Sequence, residues 1–439
     1  MTKVVVIGGG WAGCAAALAA ARAGASVTLL ERTDTLLGTG LVGGIMRNNG
    51  RYTAAEEIIA MGGGDLVLLT DKLSRHRNVN FPGHRHATLY DVLKIEPAVR
   101  RLLQASGVEV RFFSRVTDVV TTRNRIELVR VGGGERVLPG DVFVDATGTA
   151  GPPSNCRRYG HGCAMCILRC PTFGPRVSIA ARVGVKELVG RTAAGTIGPM
   201  SGSCKLLKES LCSRLVSELE TRGVVVYPIP SELQKIEALA LKACQQYAIG
   251  DFARNLILLD TGHVKLMASY FPLEMLRQLR GFEAASFHDP VAGGVGNSVR
   301  FAAITPGDDF LRVQGVSNLF CAGEKAGALV GHTEAMLTGL LAGHNAVRLV
   351  AGKNLLSLPT TTACGDLIAF SRRQILEGTG LTRRYTFSGS VFFERMVNRG
   401  LYTTEISVIK NRVRLAGVTG CFSKPVITRS RLYSLNRPH

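Results

Sequence analysis

Residues 3–13, KVVVIGGGWAG, decide the fold. Val4 to Ile7 form a continuous apolar run, which predicts a buried strand, and the alanine-rich residues 12–23 contain no proline, which predicts a helix. The glycine turn between them fits G-x-G-x-x-G. Residues 27–30 predict a second buried strand, and the order strand, helix, strand implies parallel pairing with a right-handed crossover.

The glycine turn carries the residue types that dinucleotide binding needs. Gly8 permits the turn, Gly10 lets a pyrophosphate approach the backbone N–H groups at the helix N-terminus, and Gly13 allows the helix and strand to pack closely. Glu31 ends the second strand and can accept hydrogen bonds from the ribose hydroxyls. A glycine turn without a ligand is the alternative, and this context makes it the less favoured one.

Two further elements favour FAD over NAD as the cofactor. Residues 145–148 (DATG) and 321–324 (CAGE) both end predicted strands where flavoproteins return the chain to the cofactor. A helix that starts near residues 331–334 would direct its positive end at the flavin pyrimidine. The residues that we expect to bind the cofactor are Gly8, Gly10, Trp11, Ala12, Gly13, Glu31, Arg32, Gly43, Gly44, Val116, Thr147, Gly148, Gly323, Glu324, Gly331, His332 and Thr333.

These elements predict an α/β fold, a two-dinucleotide-binding-type flavoprotein in which an α+β lobe is inserted into a Rossmann-like FAD domain. The composition changes to Cys, Pro, Arg and Gly after residue 150. The predicted units are the first part of the FAD domain, an inserted cysteine-containing substrate lobe, the second part of the FAD domain and a basic C-terminal segment, at 1–150, 151–260, 261–357 and 358–439.

Composition excludes several classes of protein. With 46% hydrophobic and 20% charged residues, the chain of 439 residues can bury a sizeable core, so it is not disordered. No apolar run reaches the roughly 20 residues that span a bilayer, so no membrane insertion is expected. The start of the chain has no secretory signal pattern and eleven cysteines are too few for a disulfide scaffold, which predicts a reducing cytoplasm. Motifs typical of hydrolases are absent from the sequence.

The net charge of +20 favours an anionic partner such as RNA, a membrane surface or a phosphorylated ligand, although a basic soluble enzyme remains an equal alternative. Residues 371–439 hold thirteen Lys and Arg against three Glu, a net +10. A second basic stretch around His84 and His86 is predicted to be a solvated loop, with RNA contact as the alternative.

Four cysteines lie within fifteen residues, at Cys156, Cys163, Cys166 and Cys170, and Pro171 follows the last. Four thiols can surround one [4Fe-4S] cluster, and Cys-x2-Cys followed by Cys-Pro is similar to ferredoxin ligation, although the first spacing is longer. Zinc is the next alternative, because Cys-x2-Cys is common to both sites. Redox or nucleophilic thiols and inert core cysteines also stay open.

Several motifs resemble one family of flavoproteins. They are residues 273–277 (LEMLR) leading to 281–285 (GFEAA), then 319–324 (LFCAGE) and 339–346 (GLLAGHNA). They resemble the family that contains the tRNA-modifying enzymes MnmG (GidA) and the folate-dependent uridine methyltransferase TrmFO. Residues 198–200 (GPM) and the Leu358-Pro359 pair with Gly365 are similar to TrmFO in particular. The resemblance covers most of the chain, which would be a divergent member.

The resemblance implies an FAD-dependent oxidoreductase whose reduced flavin handles a hydride or a one-carbon unit on an anionic substrate such as tRNA or another RNA. It implies NAD(P)H or folate as a transient donor and a small-molecule reductant. Cys170 best matches the second cysteine of the family, and with Cys166 it is the predicted catalytic thiol. Gly43 stands where TrmFO has a loop cysteine, Glu324 where the family has Gln, and His332 near its Tyr.

Two other functions stay open. In one, the flavin and an iron–sulfur cluster or redox thiols pass electrons to a small molecule or a protein partner. In the other, the chain is a basic RNA-binding protein with a vestigial flavin site. The oligomeric state also stays open.

Overall fold

The computed structural model describes residues 1–149, 170–191, 195, 199–201, 204–241, 245–267, 271–288 and 299–427. The strands, in chain order, are β1 (Lys3–Ile7), β2 (Ser26–Leu30), β3 (Ile45–Arg47), β4 (Ser74–Phe81), β5 (His84–Tyr90), β6 (Val108–Arg111), β7 (Val116–Thr122), β8 (Arg125–Val131), β9 (Arg136–Pro139), β10 (Val142–Asp145), β11 (Leu188–Val189), β12 (Pro199–Ser201), β13 (Cys204–Leu206), β14 (Val224–Pro228), β15 (Asn255–Thr261), β16 (His263–Met267), β17 (Val299–Phe301), β18 (Ala303–Ile304) and β19 (Leu319–Cys321).

The α-helices are α1 (Trp11–Arg22), α2 (Gly40–Gly43), α3 (Gly50–Ala60), α4 (Asp65–Lys72), α5 (Ile95–Ala105), α6 (Cys170–Phe173), α7 (Ile179–Arg182), α8 (Ser213–Arg222), α9 (Asp251–Arg254), α10 (Leu273–Leu276), α11 (His332–Val350), α12 (Ala363–Leu376), α13 (Ser390–Asn398) and α14 (Ile406–Leu415). Short 3-10 helices lie at Lys208–Ser210, Ser231–Leu233, Ile236–Leu241, Gln245–Tyr247, Gly323–Lys325 and Thr379–Leu381. Within the part of the chain that the structure describes, no helix is both long and apolar enough to cross a bilayer.

The central element is a five-stranded parallel sheet with the order β19-β10-β1-β2-β6. Residues 4–7 of β1 are buried, as expected for a parallel strand covered on both faces. β19 comes from residues 319–321, so two distant stretches of chain build one domain, as the sequence predicts. Because the strands are parallel, the carboxyl ends of β1, β10 and β19 meet at one edge.

Helices α1 and α11 pack against each other through small residues. A Cβ at Gly339 would lie 2.2 Å from the carbonyl oxygen of Ala12, and one at Gly343 would lie 2.1 Å from that of Ala16. Both pairs advance along the two helices in the same direction, so the helices run parallel. Their N-termini therefore point toward the same edge of the sheet.

The inserted lobe has its own four-stranded antiparallel sheet, β13-β16-β15-β14. One face of this sheet packs on α8 around a core that extends from Cys204 to Phe287. The predicted boundary near residue 260 is therefore wrong, because it falls inside β15. The opposite face carries Ile257 and Leu259, which pack against the small sheet β3-β5-β4.

The stretch around His84 is a strand pair rather than the solvated basic loop that the sequence predicts. His84 is buried beside Phe81 and Phe252. Arg75 on β4 forms ion pairs with Asp91 and with Asp260 of the lobe. Tertiary partners thus neutralise part of the charge that suggested RNA contact.

Residues 358–427 are packed onto the parallel-sheet domain. Phe387, Phe392 and Phe422 are completely buried in the core that also contains α1. Arg395 and Arg399 both pair with Asp366. Over these residues, the predicted basic segment is thus an integral helical layer of the parallel-sheet domain.

Candidate functional site

A cleft of about 1310 Å³, including the solvent at its mouth, lies at the carboxyl edge of the parallel sheet. Its walls come from the glycine turn after β1, the end of β2, the ends of β10 and β19, and the start of α11. Of the residues predicted to bind the cofactor, those that line the cleft are Gly8, Gly10, Trp11, Ala12, Glu31, Arg32, Val116, Thr147, Gly148, Gly323, Glu324, Gly331 and His332.

The other four predicted residues lie behind the wall of the cleft. A Cβ at Gly13 would lie 1.8 Å from the Gly8 carbonyl oxygen, so Gly13 is needed for the packing of α1 on β1. Thr333 donates from Oγ1 to the carbonyl oxygen of Met46 at 2.7 Å. Gly43 ends α2 and Gly44 follows it, and they lie against His332 and against Thr261 of the lobe, respectively.

The glycine turn presents an open surface to the cleft. Gly8 has a φ of +102°, which favours glycine, whereas a Cβ at Gly10 would have no atom within 4 Å. Helix α1 begins at Trp11 without a capping side chain or an acidic residue in its first turn. Its first N–H groups and its dipole therefore suit an external anion such as a pyrophosphate.

Glu31 both faces the cleft and holds the turn. Its Oε2 accepts a hydrogen bond from the Gly9 N–H at 2.7 Å, and Oε1 accepts one from the Thr33 N–H at 2.9 Å. Oε1 also lies 3.1 Å from the Thr33 hydroxyl, whereas Oε2 has a further lone pair that can accept a ribose hydroxyl. Loss of this carboxylate would therefore loosen the turn as well as remove a contact to a ribose.

Three rings form a cluster at the start of α11. Tyr90 lies edge-on to Trp11, with 5.8 Å between ring centroids, and 6.1 Å from His332. The Tyr90 hydroxyl donates to the Gly40 carbonyl oxygen at 2.6 Å and lies 3.2 Å from His332 Nδ1. Since that hydroxyl proton is used, Nδ1–H of His332 is the donor to Tyr90.

The Trp11 indole supplies an observation that favours a polar ligand. Its Nε1–H is buried near the Tyr90 hydroxyl and makes no hydrogen bond of ordinary geometry within the described ranges. Buried donors are nearly always satisfied, and Trp11 lines the cleft. A cofactor with acceptor atoms in the cleft would satisfy this donor.

The position of the His332 ring restricts which residue type fits at Gly43. A Cβ at Gly43 would lie 1.6 Å from Cε1 of His332. No side chain, a cysteine included, therefore fits at Gly43 while the His332 ring occupies this position. The residue type at position 43 and the position of the His332 ring are thus coupled in this structure.

Asp145 and Lys325 form a buried ion pair beneath the cleft. Both side chains are completely buried, and Lys325 also lies 3.2 Å from Glu187. Burial alone would raise the pKa of Asp145, but the charges of Lys325 and Arg176 hold that pKa below its usual value. Asp145 also accepts from the Thr147 hydroxyl at 2.7 Å, which fixes the segment that forms the floor. Lys325 follows the CAGE motif directly, yet its role was not predicted.

Of the four cysteines that are predicted to be catalytic or to bind a metal, the structure describes Cys170. Cys156, Cys163 and Cys166 lie outside the described residues. Cys170 is exposed on α6, and four residues later the Gly174 carbonyl accepts from Arg32 Nη1 at 2.7 Å. This end of the cysteine segment is therefore next to the part of the cleft that Arg32 lines. Among the described residues, no three His, Cys, Asp or Glu side chains group as metal ligands.

Comparison with known proteins gives matches to both parts of the parallel-sheet domain. Residues 3–151 match the family model described as FAD dependent oxidoreductase, and residues 254–354 match that of Glucose inhibited division protein A. Over 63 residues the chain is 38% identical to the methylenetetrahydrofolate–tRNA-(uracil-5-)-methyltransferase TrmFO of Fervidobacterium nodosum. This aligned stretch is 14% of this chain and 14% of the length of that protein.

Solved structures match over almost the whole chain. The form II crystal structure of Aquifex aeolicus GidA has a TM-score of 0.67 at 18% identity, and the match covers 95% of this chain and 73% of GidA. The form I structure has a TM-score of 0.62 at 15% identity, with 96% and 77% covered. The chain therefore has the GidA fold.

Proposed function

Since this chain is a GidA- and TrmFO-like FAD flavoprotein, we propose that it is an FAD-dependent oxidoreductase that acts on RNA with its reduced flavin. The observation that carries the proposal is the cleft itself. It combines an open glycine turn, an uncapped helix N-terminus and an unsatisfied indole donor along one wall. These features together suit a long ligand with a pyrophosphate and further polar atoms.

Different residues of the cleft would bind different parts of FAD. The N–H groups at the start of α1 would bind the pyrophosphate, and Glu31 would accept from the ribose of the adenosine. The positive end of α11, which begins at His332, would stabilise negative charge on the pyrimidine part of the flavin. FAD, when bound, supplies hydride transfer or handling of a one-carbon unit.

Side chains of this protein would orient a proton acceptor and exclude water near the pyrimidine part of the flavin. Tyr90 holds the ring of His332, which lines the cleft, so this imidazole would be oriented for proton transfer to or from a group bound there. Trp11 and Tyr90 are buried apolar surfaces that exclude water from the same region. These contacts give His332 a defined orientation, which a proton acceptor requires.

The RNA substrate rests on two supports, the tRNA named for the relative TrmFO and the net charge of +20. Methyl transfer from a folate is the finer proposal. A thiol cannot be placed at residue 43 beside His332. A covalent step on a uracil ring would therefore need another thiol, for which we propose Cys170 or Cys166.

The test is a reaction of the FAD-loaded full chain with an unmodified tRNA transcript, NAD(P)H and methylenetetrahydrofolate, followed by mass spectrometry of the digested nucleosides. We expect a one-carbon gain on a uridine that requires both FAD and folate. Consumption of NAD(P)H with unchanged nucleosides would contradict the RNA proposal and favour flavin reduction of another acceptor. A matched reaction with Gly10→Val, which should not bind FAD, controls for contaminating activity.

A flavin-and-cysteine electron-transfer enzyme is the second candidate, because Cys170 is exposed four residues before Gly174, whose carbonyl oxygen accepts from the cleft residue Arg32. If the four cysteines ligate a common centre, anaerobically purified protein should contain iron or zinc, and Cys170→Ser should lose it. Protein without either metal would instead leave redox thiols as the role of these residues.

A further inference from the structure

A buried ion pair lies behind the wall of the cleft at the start of α11. The side chains of Arg51 on α3 and Glu334 in the first turn of α11 are 4% and 0% exposed, and Arg51 Nε lies 3.1 Å from both carboxylate oxygens. Removing two charges from water costs about as much as their attraction returns, so a buried pair is weak evidence for a role in stability. This pair is therefore a candidate for a role in the cleft.

The ion pair packs directly against a residue that lines the cleft. A Cβ at Gly331 would lie 2.0 Å from Arg51 Nη2 and 2.1 Å from Glu334 Oε2. Arg51 Nη2 also donates to the Val330 carbonyl oxygen at 3.3 Å. Since Gly331 lines the cleft, a single backbone segment separates the two charges from a ligand bound there.

Glu334 joins the C-terminal layer to α11. Its Oε1 accepts from the Thr386 hydroxyl at 2.7 Å and from the Phe387 N–H at 2.9 Å. The carboxylate lies in the first turn of α11, where negative charge interacts favourably with the helix dipole. The same charge reduces the positive potential that the helix end offers to a ligand. This contact with the C-terminal layer would therefore weaken the ligand site if the carboxylate were not compensated.

Arg51 supplies the compensating charge. Burial alone would lower the pKa of Arg51, but the Glu334 charge and the Tyr247 phenol hold that pKa above its usual value, so the guanidinium stays protonated. Arg51 Nη2 donates to Thr386 Oγ1 at 3.0 Å, so one hydroxyl contacts both members of the pair. The pair as a whole is neutral, and each member offsets the other at the end of α11.

We propose that the Arg51–Glu334 pair sets the reduction potential of FAD by controlling the charge behind the N-terminus of α11. This inference rests on the proposed function, which places the flavin pyrimidine at this helix end. Reduction adds negative charge to that part of the flavin, so a nearby positive charge favours the reduced form and a negative charge favours the oxidised form. Neither side chain lines the cleft, so both are positioning residues that act through the field at the helix end.

The test measures the ratio of reduced to oxidised FAD in the FAD-loaded full chain, by absorbance, at equilibrium with a reference dye. Glu334→Gln leaves the Arg51 charge alone and should raise this ratio about tenfold relative to the wild type. Arg51→Gln leaves the Glu334 charge alone and should lower the ratio about tenfold at pH 9, where an unpaired buried carboxylate is ionised.

Two controls accompany these variants. Arg51→Lys keeps the charge and should keep the ratio of the wild type. Glu394→Gln, an equal charge change at an exposed residue of α13, should also leave the ratio unchanged.

The sign of the two shifts separates an electrostatic role from a structural one. Shifts in the same direction for Glu334→Gln and Arg51→Gln, or an unchanged ratio in Glu334→Gln with FAD retained, would overturn the inference and leave the FAD enzyme standing. Should one variant lose FAD, the sign of the other decides. Should both lose it, the double variant Arg51→Gln/Glu334→Gln has no unpaired charge, and a ratio different from that of the wild type would contradict the inference. A wild type that takes up no FAD would overturn the proposed function as well.

Discussion

At the scale of single residues, His84 shows how burial fixes a protonation state. Its Nδ1 accepts from the Asn48 amide at 2.8 Å, and its Nε2–H donates to the Gln246 carbonyl oxygen at 3.1 Å. Burial, with a smaller contribution from the Arg51 charge, lowers the pKa of His84 to about 3. A second proton would place two donors face to face, so the native ring stays neutral.

This pKa predicts an acid sensitivity. Above pH 6.5 both the folded and the unfolded chain hold His84 neutral, and its contribution to stability is complete. Below pH 6.5 only the unfolded chain takes up the proton, so the free energy of unfolding falls, by about 2 kcal/mol per histidine between pH 6.5 and 5. The denaturant midpoint of the wild type should be lower at pH 5 than at pH 7.5. The midpoint of His84→Gln should fall by less between the same two pH values.

His344 and His263, with pKa values lowered to about 4, leave a residual acid sensitivity in that variant. An identical loss in the wild type and in His84→Gln would show that His84 is not held neutral.

Residue-scale prediction from sequence succeeded where the backbone itself demands a residue type. Gly8 has a positive φ and Gly13 has no room for a Cβ. The backbone therefore requires glycine at both positions, and the motif predicts this local geometry. The burial of His84 and Lys325 arises from partners far along the chain, Gln246 and Asp145, and no local pattern encodes such contacts.

At the scale of elements, the parallel packing of α1 on α11 directs two positive helix ends toward one cleft. The glycines at 339 and 343 make this approach possible. The apolar runs and the glycine turn in the sequence predict the strands and both helices. Their contact could not be predicted, since it depends on which face of each helix carries glycine after the chain folds.

Gly343→Ala should separate the two helices. Its Cβ would lie 2.1 Å from the Ala16 carbonyl oxygen, so we expect a loss of about 1–3 kcal/mol in the free energy of unfolding and a weaker affinity for FAD. Urea unfolding and FAD titration measure the two effects. Gly133→Ala is the control, because a Cβ there has no atom within 4 Å. Equal midpoints for Gly343→Ala and the wild type would contradict the packing described here.

The lobe boundary shows a second limit at this scale. The predicted boundary at residue 260 lies inside β15, because no local pattern distinguishes the apolar residues of β15 and β16 from strands of the parallel sheet. Their antiparallel register with β14 and β13 assigns them to the lobe.

At the scale of the whole molecule, the distribution of charge differs from that predicted. Arg412 pairs with Glu57, and Arg395 and Arg399 share Asp366, so part of the C-terminal charge stabilises the fold. A chain ended near Leu358 would also lose Phe387 from the main core. RNA binding is therefore better examined with surface substitutions than by truncation.

The central claim is that the cleft holds FAD against the open face of Gly10. Gly10 has an ordinary φ of −67°, so Gly10→Val should fold, whereas Gly13→Ala should destabilise the protein through its contact with the Gly8 carbonyl. These two variants separate a blocked ligand site from a damaged fold.

The decisive measurement is the amount of FAD released from purified wild type and Gly10→Val, with thermal unfolding of the flavin-free forms recorded in parallel. We predict about one FAD per chain for the wild type and none for Gly10→Val, with the same unfolding midpoint for both flavin-free proteins. Full retention of FAD by Gly10→Val, or a wild type that does not take up FAD, would contradict the account.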